Sequence, residues 1–431
     1  MGHELYETAE YALRELRAKG ADGAEVRVSR GAMDELNLDA GKFSLMRTTF
    51  SSSISVRALI GSRKGTHSTN RLDRGTVDAA VAAAVEAAAS SDPDEAEVIS
   101  AGIGGHEFDL GKAPSEPGLI YDRMDGFMKA VKEGYPLTDV MQFIVCHNGW
   151  DAAYANTNGT RAMTAASQYN VSVTFSTRDG DRTTSMNGSG YTAKDLGMEI
   201  LSYPELRRLI AGSAAELDAR PVEGKFTGSL LCSPECFGEF LGEVLGNCVG
   251  GGSIISGTSP WKDSLGAEVA DRRLSVSFDP LHARVVNGSR MQDGYLAARQ
   301  EIISGGVLKA FALNEYAALK TGLTRASATD CMVIEPGDLT LDGLIAGIDR
   351  GILINRFSGG SMAPNGDFSG VAKNSFLIEG GKVVGAVAET MVSGNMLEML
   401  KNLKGLGSEQ DFGGGSAIPW ASFDGIVISG K

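Results

Sequence analysis

Histidine and cysteine are both scarce in this chain of 431 residues, with five of each. His3, His67, His106, His147 and His282 lie far apart. No two stand at the helical or finger spacing that a zinc site uses. Five cysteines is an odd number without framework spacing, which argues against a disulfide scaffold and for reduced thiols in the cytoplasm. No apolar run approaches the roughly 18 residues that a membrane-spanning helix needs. The opening MGHELYETAEYALRELRAKG is a charged amphipathic helix and not a secretory signal. Positive charge is also short. Lys and Arg number 40 against 54 Asp and Glu, and the net charge of -14 opposes a nucleic-acid partner held by phosphate neutralisation. Arg207-Arg208 and Arg272-Arg273 are isolated pairs without interleaved aromatics, so direct nucleic-acid binding is not expected.

Glycine, by contrast, is abundant: 56 residues, with aromatics at only 7%, favour many turns and a strand-rich fold with modest cores. The mean hydropathy of -0.06 is that of a globular protein, and the length calls for two domains. The pattern predicts an α+β fold. Residues 1–220 form an N-terminal α+β domain and residues 221–431 a C-terminal β-rich domain, a twisted sheet or barrel-like. In the first, a helix over 4–19 ends at Gly20, strands alternate apolar and polar through a Gly-Ser turn, and an alanine-rich helix spans 73–90. Residues 91–118 are expected to be loop. A further helix, strands broken by Asn-Gly and Asp-Gly turns, and a helix over 194–218 complete it. In the second, FTGSLLCS is a strand running into Ser233-Pro234-Glu235, three agreeing helix-start signals. Hairpins follow, turned on glycine in EIISGGVLKAFAL and SFLIEGGKVVGAV, and the tail SAIPWASFDGIVISGK ends on a strand.

The helix that opens the second half, FGEFLGEVLGNC (237–248), is poorly made on one side. Phe237, Phe240, Leu241, Val244, Leu245 and Cys248 form an apolar stripe. Elsewhere Gly238, Gly242 and Gly246 fall at spacing four, as do Glu239, Glu243 and Asn247. Interior helical glycine costs about 1 kcal/mol against alanine, and glutamates at i, i+4 repel. A glycine row of this kind lets another backbone pack close. Of the remaining chemistry, Cys232, Cys236 and Cys248 read better as small buried residues than as metal ligands. Cys146-His147 is adjacent on a strand and points to opposite faces. Cys331 would need a distant His such as His282 to act as a nucleophile. GVGGGSIISGTS follows a helix, lacks a GK[ST] ending and reads as a flexible loop. RFSGGSMAPNGDFSG reads as a turn cluster, or as a surface that a substrate backbone approaches.

The order of several stretches resembles the TldD/PmbA family, once called modulators of DNA gyrase. The resemblance is carried by GADGAEVRVSRG, SVRALIGSRKGTHSTN, ANTNGTRA, INRFSGG, GDFSG, FLIEGGKVV and VSGNMLEML, and covers nearly the whole chain. It implies an N-terminal α+β domain before a β-rich, metallopeptidase-like one. TldD-type members are zinc metallopeptidases that carry His-Glu-x-x-x-His on the helix spanning 234–249 here. The corresponding positions are Gly242-Glu243-Val244-Leu245-Gly246-Asn247. Glu243 remains while Gly242 and Asn247 stand where histidines would. The family's third ligand, a cysteine near the C-terminus, has no counterpart in the tail. Catalytic zinc normally needs three protein ligands and an open position. The resemblance therefore implies a PmbA/TldE-type subunit with no metal and no cofactor of its own, zinc being held by a TldD-type partner. It implies a heterodimer with that partner, or a homodimer, acting on unfolded or short peptides, with no membrane role. Two other readings predict differently: a peptidase with a non-standard site such as Cys331, and a non-enzymatic interaction protein acting on gyrase or a toxin-antitoxin pair.

Overall fold

The computed structural model describes residues 2–326, 331–388, 390–411 and 413–430. Lys431, the last residue of the tail strand expected from sequence, lies outside them.

The N-terminal region is an α+β unit built on four unusually long strands, Gly23–Asp39, Lys42–Ile60, Thr138–Asn156 and Arg161–Asp179. Arg63–Thr69 lies beside Lys42–Ile60 at one edge, and Gly105–Asp109 joins Arg161–Asp179 in parallel at the other. The remaining pairings are antiparallel. Gly61 and Ser62 both take positive φ, 52° and 61°, as a two-residue hairpin turn of matching twist requires. Such long strands carry two cores in succession. Val26, Val28, Ile54 and Val56 pack under helices Gly2–Ala18 and Arg74–Ser90. Leu38, Phe143, Val171 and Phe175 pack under Pro117–Gly134 and Pro204–Ala215. The alanine-rich helix approaches the sheet closely: a Cβ on Gly65 would lie 1.9 Å from the Ala84 carbonyl oxygen.

Two local expectations are corrected here. The stretch 91–118 is not wholly loop, because Gly105–Asp109 adds a strand to the sheet edge and a helix starts at Pro117. The expected Asn-Gly turn is at Asn158-Gly159, while Asn148-Gly149 lies within a strand. The 194–218 stretch is helical only from about Ile200. Its α-helix begins at Pro204, which has no N–H to lose at the first helical position.

The C-terminal domain is β-rich and closed. Strands Lys225–Cys232, Ile418–Ser429, Met391–Asn395, Asp367–Glu379 and Arg350–Gly359 each bond to the next, and the last bonds back to the first. That ring is the barrel-like alternative of the two expected. Its strands alternate between two cores, as period two requires. Leu230, Cys232, Ile352, Ile354 and Phe368 share one core with helix Pro234–Cys248. Leu231, Leu353, Ile378 and Trp420 face the other way, against helix Leu341–Ala346. The glycine cluster after Cys248 is not a plain loop. Gly250, in extended geometry, caps a second short helix, Gly251–Ile255, whose Gly251 fits against Ala312 and Ala317.

Side chains join the two parts. Arg356 donates to Asn187 Oδ1 at 2.9 Å, Asn374 donates to the Leu209 carbonyl at 3.0 Å, and Arg208 pairs with Glu235 at 2.6 Å.

Candidate functional site

Helix Pro234–Cys248 starts as the sequence predicts. Ser233 caps it by accepting from the Cys236 N–H at 3.3 Å, Pro234 follows, and Glu235 sits in the first turn where the helix dipole favours it. It stops at Cys248, where the Val249 and Gly250 N–H groups close on the Leu245 carbonyl. The apolar stripe is buried throughout: Phe237, Phe240, Leu241, Val244, Leu245 and Cys248 are each 3% exposed or less. Phe240 meets Phe357 and Phe368 at ring-centroid distances of 4.9 and 5.3 Å, an edge-on cluster. The Phe357 ring has room only because two neighbours lack side chains. A Cβ on Gly359 or Gly370 would lie 2.4 Å from its Cζ.

The opposite side of the helix borders a cavity of about 550 Å³. Glu239, Gly242, Glu243, Gly246 and Asn247 line it from the helix, and Phe357, Gly359, Gly360 and Ser361 from the strand end and the turn that follows. The sequence motif and the Gly/Ser-rich stretch thus meet across one opening, which neither could reveal alone. Within this chain the glycine row is left largely open. Only Gly238 is approached, by Ile418 Cδ1, 2.6 Å from where a Cβ would stand. Around Gly242 and Gly246 a Cβ would meet nothing within 4 Å.

Gly242 and Gly246 present no side-chain donor atoms. Asn247 directs its amide N–H along the helix to the Glu243 carbonyl, at 2.8 Å. Among the described residues there is no group of three or more His, Cys, Asp or Glu disposed to hold a metal ion. Partial burial pushes the neighbouring Glu239 carboxyl above its ordinary range, opposed by the charge of Arg356.

The other sequence candidates lie elsewhere. Cys232, Cys236 and Cys248 are buried in the shared core, and burial pushes the Cys248 thiol up to about 12. Cys146 is half-buried and raised to about 11, mainly by burial. His147 beside it is buried against the Tyr169 ring, and burial lowers its pKa. Cys331 is buried, and its carbonyl accepts from the Asp279 N–H at 2.8 Å, which brings that segment beside the turn holding His282. His3 and His106, distant in sequence, line one larger cavity of about 810 Å³ at the sheet edge; His106 Nε2 bonds there to the Ile103 carbonyl at 3.0 Å. Of the basic pairs, Arg208 is held by Glu235 and Arg273 by Asp271, so neither pair contributes to a continuous basic stripe.

Sequence reasoning missed one cluster altogether. Glu205, Glu235 and Asp411 converge where helix Pro204–Ala215 meets the start of helix Pro234–Cys248. Burial first, then mutual repulsion, pushes the Glu205 carboxyl up to about 8; burial raises Glu235 to about 7 against the pull of Arg208. Three distant segments supply these residues, so no local pattern announces them.

A closed β-ring domain carrying this helix follows a two-core α+β unit. The PmbA/TldA metallopeptidase C-terminal domain model matches residues 225–430, and the domain 1 model of the same family matches residues 24–90. The chain belongs to the PmbA/TldD metallopeptidase family. It is 30% identical over 231 residues to a metalloprotease of Methanothermobacter thermautotrophicus, a match spanning 49% of this chain and 50% of that protein. It is 23% identical over 427 residues to the metalloprotease PmbA homolog of Haemophilus influenzae, spanning 93% and 90%. Its fold is similar to that of TldE from Thermococcus kodakarensis, with a TM-score of 0.87 and 20% identity over 98% of this chain and 100% of that one.

Proposed function

We propose that this chain is the PmbA/TldE-type subunit of a two-chain peptidase, divided near residue 220 into its two domains, and that it holds no catalytic zinc of its own. A TldD-type partner carries the metal. The observation that supports this reading is the family helix kept in place with Gly242 and Asn247 at the ligand positions and Glu243 facing a cavity. Zinc in such an enzyme polarises the scissile carbonyl and lowers the pKa of a bound water. A glutamate without that ion nearby has no activated water to deprotonate. What remains for this subunit is to complete the chamber and hold substrate. An open wall without side chains suits an extended, unfolded peptide, because main-chain recognition tolerates sequence.

The test is reconstitution with the TldD-type protein from the same cells, using an unfolded peptide as substrate. Turnover is expected only when both chains are present. Turnover by this chain alone, or by the partner at the same rate without it, contradicts the reading.

A further inference from the structure

Gly242 and Gly246 are unexplained by this chain's own packing. Each costs the helix about 1 kcal/mol against alanine, and an alanine methyl at either would touch nothing. The close approach that such a row permits is left to something outside the chain.

Across the cavity the strand Arg350–Gly359 has an open edge. It pairs with Asp367–Glu379 as far as Gly359 on one side. On the other side it pairs with Lys225–Cys232 only through Ile354, since that neighbour ends and turns into the helix at Pro234. Beyond the Ser233 contacts to the Ile354 and Asn355 carbonyls, no described strand continues along this edge. An unpaired edge exposes backbone donors and acceptors at alternate residues, and an extended chain satisfies them by adding as a strand.

The charge of the opening selects what can enter. Glu239 and Glu243 are the ionisable residues among those lining it, and no cation stands with them. The nearest cation acting on Glu239, Arg356, is committed to the Met186 carbonyl at 2.7 Å and to Asn187 Oδ1 at 2.9 Å. Two glutamates one turn apart repel, and a cation between them turns that repulsion into attraction.

We propose that this cavity takes an extended polypeptide bearing a basic side chain, its backbone along the open edge of 356–359 and against Gly242 and Gly246, its Lys or Arg between Glu239 and Glu243. The proposal rests on the peptide-handling reading above and adds the class of peptide. Aliphatic length before the charge suits the site, because the Phe357 ring and Met396 line it alongside the carboxylates.

Binding is measured by fluorescence anisotropy on the full chain with two labelled, unstructured ten-residue peptides that differ only in one central Lys or Gln. The Lys peptide is expected to bind roughly ten-fold more tightly, as a partly desolvated charge pair allows. Glu239→Gln with Glu243→Gln is expected to bring the two affinities together. Gly246→Val, which fills open space without losing a charge, is expected to weaken both peptides alike. An unchanged Lys-to-Gln ratio in the double variant, with both peptides still bound, overturns the basic-residue proposal and leaves the subunit reading intact. Preserved Lys preference together with absent turnover by the reconstituted pair overturns the subunit reading and leaves the pocket. If neither peptide binds the folded chain, the proposal fails.

Discussion

The Asn247 side-chain amide donates to the Glu243 carbonyl one turn back, at 2.8 Å. That bond ties the Asn247 side chain to its own helix, beside Glu243. It also sets the expectation for restoring the motif. Gly242→His with Asn247→His supplies two imidazoles five residues apart, about 140° around an ideal helix. The double variant is expected to retain more zinc after dialysis than the natural chain and still to show no turnover alone. Metal analysis and a peptide assay on the same preparation check both halves.

The glycines around the cavity separate into two kinds. Gly242→Ala and Gly246→Ala enter open space and are each expected to stabilise the chain by about 0.5–1 kcal/mol. Gly370→Ala drives a methyl to within 2.4 Å of Phe357 Cζ and 2.6 Å of Gly359 Cα, and is expected to destabilise by about 2–3 kcal/mol. Urea melts of the three variants give the comparison, read as shifts in midpoint.

The Glu205–Glu235 cluster makes stability fall as pH rises. Below the ordinary carboxyl value of 4.5 both groups are protonated whether the chain is folded or not. Above it the unfolded chain ionises, while the folded pair, raised to about 8 and about 7, resists until pH passes those values. The stabilisation present in acid is therefore lost through neutrality. Glu205→Gln, which also relieves the repulsion on Glu235, is expected to flatten this decline and raise the melting temperature at pH 8 by about 2 °C or more. A melting series from acid to alkaline pH on both proteins decides it.

Cys331 tests the rival enzyme reading. It is buried, and the segment carrying it lies beside the turn holding His282 without sharing the cavity at Glu243. Cys331→Ser is expected to leave turnover by the reconstituted pair unchanged within experimental scatter. Abolished turnover, with folding intact by circular dichroism, would move the chemistry to that thiol.

Much of the fold was legible because its signals are local. The cap at Ser233, the apolar stripe from Phe237 to Cys248, the turn at Gly61-Ser62 and the hairpin at Gly380-Gly381 are each written in a few neighbouring residues. The site was half legible. Glu243 stood out from the motif and RFSGGS from its composition, but that they face each other depends on ring closure by strands more than a hundred residues apart. The strand Gly105–Asp109 and the short helix Gly251–Ile255 escaped prediction because pairing and packing partners, rather than propensity, hold glycine-rich segments in place. The carboxyl cluster at Glu205, Glu235 and Asp411 arises only from tertiary contact.

The most direct measurement is the zinc content of each chain after co-purification with the TldD-type protein from the same cells and separation under conditions that retain metal. The account predicts one zinc per TldD-type chain and none on this one. Stoichiometric zinc on this chain, with peptide cleavage by it alone, would contradict the account.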